Sequence, residues 1–418
     1  MRNSRLWPYA NRIGMWLAQP AILQRLRYLP PLPVWFRRRY ASKQGTWPTL
    51  RVRVPYDLLS VAGIKRDPAA EAAAFAEEPL HDLRRVHPWL ATYALQHMWS
   101  VSLGVSPRMQ RASRRSAATA RTIAARRTDG PVNPIDLTRL VRDKAAALGM
   151  SAVGIAEYDP KYTYAEHQDE CASLGDRVIV CMLEQNYEAT QTGPSARSER
   201  GALSAYADIM NLGSQLAEFL HRCGFRAGAE PQGGHGMALH YAVAAGLGQL
   251  GLNGQVLTPH AGSRCRITLV QTDAPLVVDR PVDYGIPKLC DACKVCVRRC
   301  PVGAIPANRS MYRGIEKAKI NTVRCWPVVA QAHGCAICMK VCPVQKYGLQ
   351  PVLDEFERSG RILGKDTDEL EGFTWIDGRR YGPAQRPRLP ASFTRPADFP
   401  LTPENMRTGL TSRGETQG

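Results

Sequence analysis

The stretch "LCDACKVCVRRCPVGAI", residues 289–305, narrows the fold of this chain more than any other feature, because its cysteines are spaced to grip something inorganic. Cys290, Cys293, Cys296 and Cys300-Pro301 follow the C-x2-C-x2-C-x3-C-P run of bacterial two-cluster iron–sulfur modules. A second group, Cys335, Cys338 and Cys342-Pro343, repeats the ending. It has Ala332 where a further cysteine would stand, which leaves Cys325 as the nearby candidate. Two-residue gaps aim successive thiolates at one cubane, whereas the cysteine before proline points toward the neighbouring cluster. The spacing therefore assigns Cys290, Cys293, Cys296 and Cys342 to one [4Fe-4S] cluster, and Cys300, Cys325, Cys335 and Cys338 to the other. Four-cysteine zinc sites also use two-residue gaps. Two crossed sets, each with a Cys-Pro, weigh for iron and sulfur. Lys294, Arg298, Arg299 and Lys340 sit among these cysteines and would offset the clusters' negative charge. Cys171, Cys181, Cys223 and Cys265 fall in predicted helices and strands and read as buried core thiols.

Clustered metal-binding cysteines suit a reducing compartment, and no export signal is read in the sequence. Arg37, Arg38 and Arg39 are followed by "YASKQGTWPTLRVRV" rather than by the apolar run a twin-arginine leader needs. The early apolar stretch "GMWLAQPAILQRLRYL" is broken by Gln19, Pro20, Gln24 and Arg25 and is too short to span a bilayer. The expected localisation is cytoplasmic. Charge is unevenly placed: the first 130 residues hold 22 Lys+Arg and 7 Asp+Glu, most of the chain's net +18. Basic stretches such as "RASRRSAATARTIAARR" suit phosphates, acidic lipid or an acidic partner, or a solvated face.

The 418 residues suffice for two to three domains. "NPIDLTRLVRDKAAALGM" predicts a helix capped by Asn133, with Pro134 in its first turn, Leu137, Leu140, Val141 and Leu148 on one face, and Gly149 at its end. "SAVGIAEY" and "DRVIVCMLE" read as buried strands. A long helix from about Ser198 to Cys223 carries Leu203, Tyr206, Met210, Leu216 and Leu220 as its apolar stripe. A shorter helix in "GMALHYAVAAGLGQLG" precedes strands "GQVLT" and "RCRITLVQT". Helices alternating with strands from 131 to about 280 predict an α/β layer domain. The end of the chain, "YGPAQRPRLPASFTRPADFPLTPENM", is Pro-rich enough for an extended tail.

Residues 245–305, from "AGLGQLGLNGQVLTPHAGSRCRITLVQTDAP" through the first cysteine run, resemble the matching stretch of reductive dehalogenases. Epoxyqueuosine reductases share much of this pattern, and the resemblance extends over about 131–348. It implies an α/β (α+β) corrinoid-binding catalytic domain of nitroreductase-like type over 131–284, followed by a two-[4Fe-4S] bacterial ferredoxin-like domain over 285–348. A basic N-terminal region (1–130) of unknown role and a C-terminal helix with the Pro-rich tail (349–418) flank them. The family's catalytic tyrosine falls on Tyr206 in "LSAYADIM" and its arginine on Arg266, six residues before Thr272-Asp273. A third position, Lys or Asn in dehalogenases, falls on Gln232 in "EPQGGHG". The segment around Gly246, Leu257 and Thr258 matches backbone that packs near the corrinoid.

The tyrosine and arginine make chemical sense together. A phenol is a poor acid at neutral pH, and a neighbouring guanidinium favours the phenolate. Tyr206 would then protonate carbon as reduced cobalt of a cobalamin or other corrinoid removes the leaving group, with electrons arriving through the clusters. An uncharged Gln232 would only hydrogen-bond. The implied partners are an organohalide and a ferredoxin or flavodoxin-type donor, with no firm nucleic-acid or membrane partner. Two alternatives stand beside this one. Epoxyqueuosine reductases place Asp-Tyr-His after the tyrosine, where Asn211-Leu212-Gly213 stands here, and an aspartate at the third position. A chain that has lost its corrinoid would serve as an electron-transfer protein.

Overall fold

The computed structural model describes residues 105–125, 132–163, 167–231, 234–312 and 315–389. Gln232, the residues before 105 and the Pro-rich tail beyond 389 lie outside them. No helix among the described residues is long and apolar enough to cross a membrane.

Helix α1 (Ser106–Thr119) and helix α2 (Pro134–Ala147) precede a sheet that organises the first half. Asn133 caps α2 by accepting the Ile135 amide, and Gly149 closes it with φ +88°. Leu137 and Val141 are buried as expected, but Leu140 is 48% exposed, because the buried stripe runs 137, 141, 145 and leaves position 140 on its solvent side. Strand β1 (Ala152–Glu157), helix α3 (Gln168–Leu174), β2 (Arg177–Glu184), α4 (Tyr187–Gln191), the 27-residue α5 (Ala196–Arg222), β3 (Ala227–Ala229) and α6 (Ala238–Ala244) follow. The hairpin of β4 (Gln249–Leu250) and β5 (Val256–Leu257) leads into β6 (Cys265–Thr272).

The four-stranded sheet has the order β1-β2-β6-β3, and each neighbouring pair is antiparallel. Alternating helices and strands predict layers covering a sheet, and say nothing of strand direction; the register supplies it, with Ile155 opposite Ile179 and Ile179 opposite Val270. Ile155, Ile179, Cys181 and Val270 face a core shared with Leu137 and Val141 of α2 and with Ile209, Leu216 and Leu220 of α5. Val178, Val180, Met182, Cys265 and Leu269 face the other side, under Tyr241, Ala242 and Val243 of α6. Burial on both faces explains why β2 reads as an unbroken branched run. Gly213 brings α5 down onto β6: a Cβ there would meet Thr268 Cγ2 at 2.8 Å.

Part of the basic N-terminal charge is used inside the molecule. Helix α1 lies along α5, where Met109 and Ala112 join Ala207 and Met210 in a small core. Its arginines meet the polar face of α5: Arg108 pairs with Asp208, and Arg115 donates to both Glu218 carboxylate oxygens at 2.8 and 2.7 Å and to Asn211 Oδ1 at 2.7 Å.

The cysteine-bearing half is built from short elements: α7 (Ile286–Cys293), α8 (Val295–Arg299), β7 (Ser310–Tyr312), β8 (Ile315–Lys317), α9 (Thr322–Gln331), α10 (Ile337–Lys340) and α11 (Pro343–Tyr347). Helix α12 (Leu349–Ser359), α13 (Asp368–Glu371), β9 (Phe373–Thr374) and β10 (Arg380–Tyr381) then return over them. Leu349, Val352, Phe373 and Trp375 share one core with Ile286, Leu289, Val295, Ile337 and Val341, so residues beyond 348 help wall the cysteines in. Leu257 joins this core while Leu250 and Val256 belong to the sheet's, so the β4–β5 hairpin straddles both.

Candidate redox and active site

The two cysteine groups fold as near repeats. Lys294 after Cys293 and Ala336 after Cys335 both take left-handed backbone, with φ 52° and 58°, and each starts a short helix carrying the next cysteine. Cys300 and Cys342, both before proline, leave those helices in extended conformation, with φ −61°, ψ 120° and φ −81°, ψ 122°. Such a turn followed by an extended exit directs the fourth thiol away from the first three.

Cys290, Cys293, Cys296 and Cys342 line one cavity together with Leu252, Leu257, Leu289 and Val344. Cys325 and Cys338 pack with Cys300 around Ala304 and Ile305, and Cys335 and Cys338 feel the charges of Cys300 and Cys325. The structure thus gathers the same two sets that the spacing assigns, and Cys296 feels Cys338, so the sets are neighbours. Burial pushes the Cys290, Cys325 and Cys338 thiols up to about 12, with nearby thiol charges adding to it. A site that resists thiolate on its own and offers four converging sulfurs fits a group whose cationic iron compensates them. Cys181 and Cys265 are buried in the sheet, where burial raises them to about 12 and 11.

Of the four cations among the cysteines, three are engaged with the returning C-terminal segment. Arg299 is fully buried, donates to the Gln385 and Tyr381 carbonyls and lies 3.9 Å from Glu371 Oε2. Arg298 pairs with Glu371 at 2.7 Å and Asp366 at 2.9 Å, and Lys340 donates to the Gly372 carbonyl. Lys294 remains on the wall of the first cavity, its Nζ 3.2 Å from Asn308 Oδ1. Cysteine spacing carries no trace of this clamp, because its partners lie 32 to 86 residues further on.

Tyr206 and Arg266 come together. Strand alternation turns Arg266 away from the Cys265 and Ile267 side and toward α5, and its guanidinium carbon lies 4.7 Å from the Tyr206 ring centroid. Tyr206 is 42% exposed, so it is no core tyrosine despite its place on the apolar stripe. Arg266 Nη1 donates to the Cys265 carbonyl, while its buried Nε has no hydrogen-bond partner among the described residues. An exposed phenol beside an orphaned cationic N–H fits a bound group with an acceptor on this face. Gln232 falls outside the described residues. Gly246, Leu257 and Thr258 are spent on the chain's own packing: the Gly246 carbonyl accepts from Tyr284 Oη, Leu257 lines the first cysteine cavity, and Thr258 closes a turn with Gly262.

A buried arginine that spacing did not single out stands just before β6. Arg264 donates to the Gln185 carbonyl at 2.6 Å and to Glu184 Oε2 at 3.0 Å, and its guanidinium lies 5.5 Å from the Tyr187 ring. With Tyr187, Pro259, His260 and Lys346 it lines a cavity of about 590 Å³ between the sheet half and the cysteine half. Its only signal in sequence is a charge at the mouth of a buried strand.

Residues 289–346 match the family described as the 4Fe-4S dicluster domain. The chain is similar to the tetrachloroethene reductive dehalogenase of Sulfurospirillum multivorans, 27% identical over 264 residues that cover 53% of this chain and 52% of that protein. It is also similar to the tetrachloroethene reductive dehalogenase of Desulfitobacterium hafniense, 32% identical over 215 residues, 47% of this chain and 37% of that one. The epoxyqueuosine reductase of Salmonella typhimurium is 32% identical over 146 residues, covering 33% of this chain and 36% of that one. Among solved structures, the catabolic reductive dehalogenase NpRdhA in complex with 3-bromo-4-hydroxybenzoic acid superposes with a TM-score of 0.54 at 23% identity, over 62% of this chain and 39% of that one. The chain spans about half or less of the length of the curated relatives it matches. In sequence and in fold it is reductive dehalogenase-like, with a sequence relationship to the epoxyqueuosine reductases.

Proposed function

We propose that the chain is a corrinoid- and iron–sulfur-dependent reductase that replaces the halogen of an organohalide with hydrogen. The observation that carries this reading is the Arg266 guanidinium lying over the half-exposed Tyr206 ring, with an unspent N–H beside it. The nitroreductase-like character of the sheet domain, the eight cysteines as ligands of two [4Fe-4S] clusters, and cytoplasmic operation with a ferredoxin or flavodoxin-type donor belong to the same reading.

A corrinoid, when bound, supplies a metal centre that takes single electrons and can accept a leaving group. The chain's own residues supply the rest. The net change is a carbon–halogen bond broken, a carbon–hydrogen bond formed, halide released, and two electrons and one proton consumed. Tyr206 Oη gives the proton to carbon, and the Arg266 guanidinium holds the resulting phenolate until solvent reprotonates it. Gln232 hydrogen-bonds to substrate or corrinoid. Gly246, Leu257 and Thr258, already paired within the chain, would contribute to holding a corrinoid through backbone packing rather than through free side chains.

Protein produced anaerobically with cobalamin supplied tests this reading. About one cobalt with about eight iron, together with halide release from a panel of halogenated aromatics, supports it. Eight iron without cobalt would leave an electron-transfer protein, and reduction of a tRNA base in place of halide release would favour the epoxyqueuosine-type alternative.

A further inference from the structure

We infer that His167, Glu170 and His235 form a binding site for a divalent first-row metal ion, which staples α3 to the loop between β3 and α6. One ligand atom from each residue lies within 4.8 Å of the other two. His167 and Glu170 are one helical turn apart at the start of α3, with Nδ1 and Oε2 at 3.5 Å. His235 arrives from 65 residues further on, and its ring stacks on that of His167 with centroids 4.3 Å apart and planes at 23°. The loop that brings it is fixed from beneath: Glu230 Oε1 accepts the backbone N–H of both His235 and Gly236, at 2.9 and 3.0 Å.

The donor set decides the class of ligand. Two imidazoles and a carboxylate suit zinc or ferrous iron and leave a further position for water. Donors around zinc stand about 3.3 Å apart, a contraction that requires the exposed Glu170 carboxylate and the two partly buried imidazoles to turn toward the ion. Cys171 Sγ, 3.9 Å from His235 Nδ1, stands beside the trio and outside it. An ordinary histidine–glutamate pair would need neither the second ring nor the carboxylate-pinned loop. None of the three lines the first cysteine cavity, and a metal held by them is read from metal content without reference to the reaction proposed above.

The test uses the full chain with its clusters assembled, incubated anaerobically with Zn²⁺ alone, desalted, and analysed for zinc and iron. The expected result is about one zinc retained per chain with iron unchanged. His235→Gln and Glu170→Gln should each retain at least about tenfold less zinc, again with iron unchanged. Glu170 is largely exposed, so its variant keeps the test decisive if the histidine variant does not fold. No stoichiometric zinc in the wild type, or equal retention in wild type and Glu170→Gln, overturns the site.

Discussion

In the proposed reaction, a guanidinium lying over the Tyr206 ring leaves the hydroxyl free while supplying positive charge to the group that gives up its proton. That division of labour predicts how the two residues fail. Tyr206→Phe keeps the ring under Arg266 and removes only the proton, so halide release should fall by about 10²–10⁴ while cobalt and iron content stay at wild-type levels. Loss of cobalt in that variant would make Tyr206 a binding residue instead. At the cysteines, Cys290→Ala should leave about four of about eight iron atoms, read by metal analysis; retention of all the iron would break the ligand assignment. The cysteine grouping was legible from spacing alone, whereas Tyr206 and Arg266 were picked out by the resemblance to reductive dehalogenases, strand alternation adding only that Arg266 faces away from Cys265. The exposure of Tyr206 was not legible, because a helix stripe reports which way a side chain points and not whether another element covers it.

At the level of elements, α5 sits where Gly213 allows, close against Thr268 of β6. Gly213→Val should push the helix off the strand at a cost of about 1–3 kcal/mol, seen as a lower unfolding temperature, and should also move Tyr206 relative to Arg266. The α1–α5 clamp gives a pH-dependent prediction. The Arg115 hydrogen bond holds the Glu218 carboxyl below the usual carboxylate range. Its stabilising contribution is therefore complete above the ordinary glutamate value of about 4.3 and is lost as pH falls through the lower folded value. Both side chains are more than a third exposed, which limits the pair to about 1 kcal/mol or less. Arg115→Ala should melt below wild type at neutral pH, and the two should converge in acid; a gap that persists in acid would assign the effect to packing. The helices and long strands could be read from periodicity and caps. The antiparallel order could not, since residues as far apart as Arg177 and Thr272 fix it.

Across the whole molecule, the C-terminal segment closes the cysteine half through a charge cluster that local sequence does not announce. Arg298, Arg299 and Glu371 meet there, with Arg299 and Glu371 fully buried. Removing one partner of such a set leaves an uncompensated buried charge, worth about 3–5 kcal/mol. Glu371→Ala should therefore lose iron faster than wild type in a chelator challenge while the sheet half keeps its secondary structure; unchanged iron release would show the clamp to be dispensable. The clamp also sets an order of events during synthesis. Arg299 donates to the carbonyls of Tyr381 and Gln385, residues translated more than 80 codons after it, and the core around the cysteines is completed by Phe373 and Trp375. The nascent chain therefore exposes all eight cysteines before it holds the means to seal them. Sealing of that half waits until Phe373, Trp375, Tyr381 and Gln385 have been made.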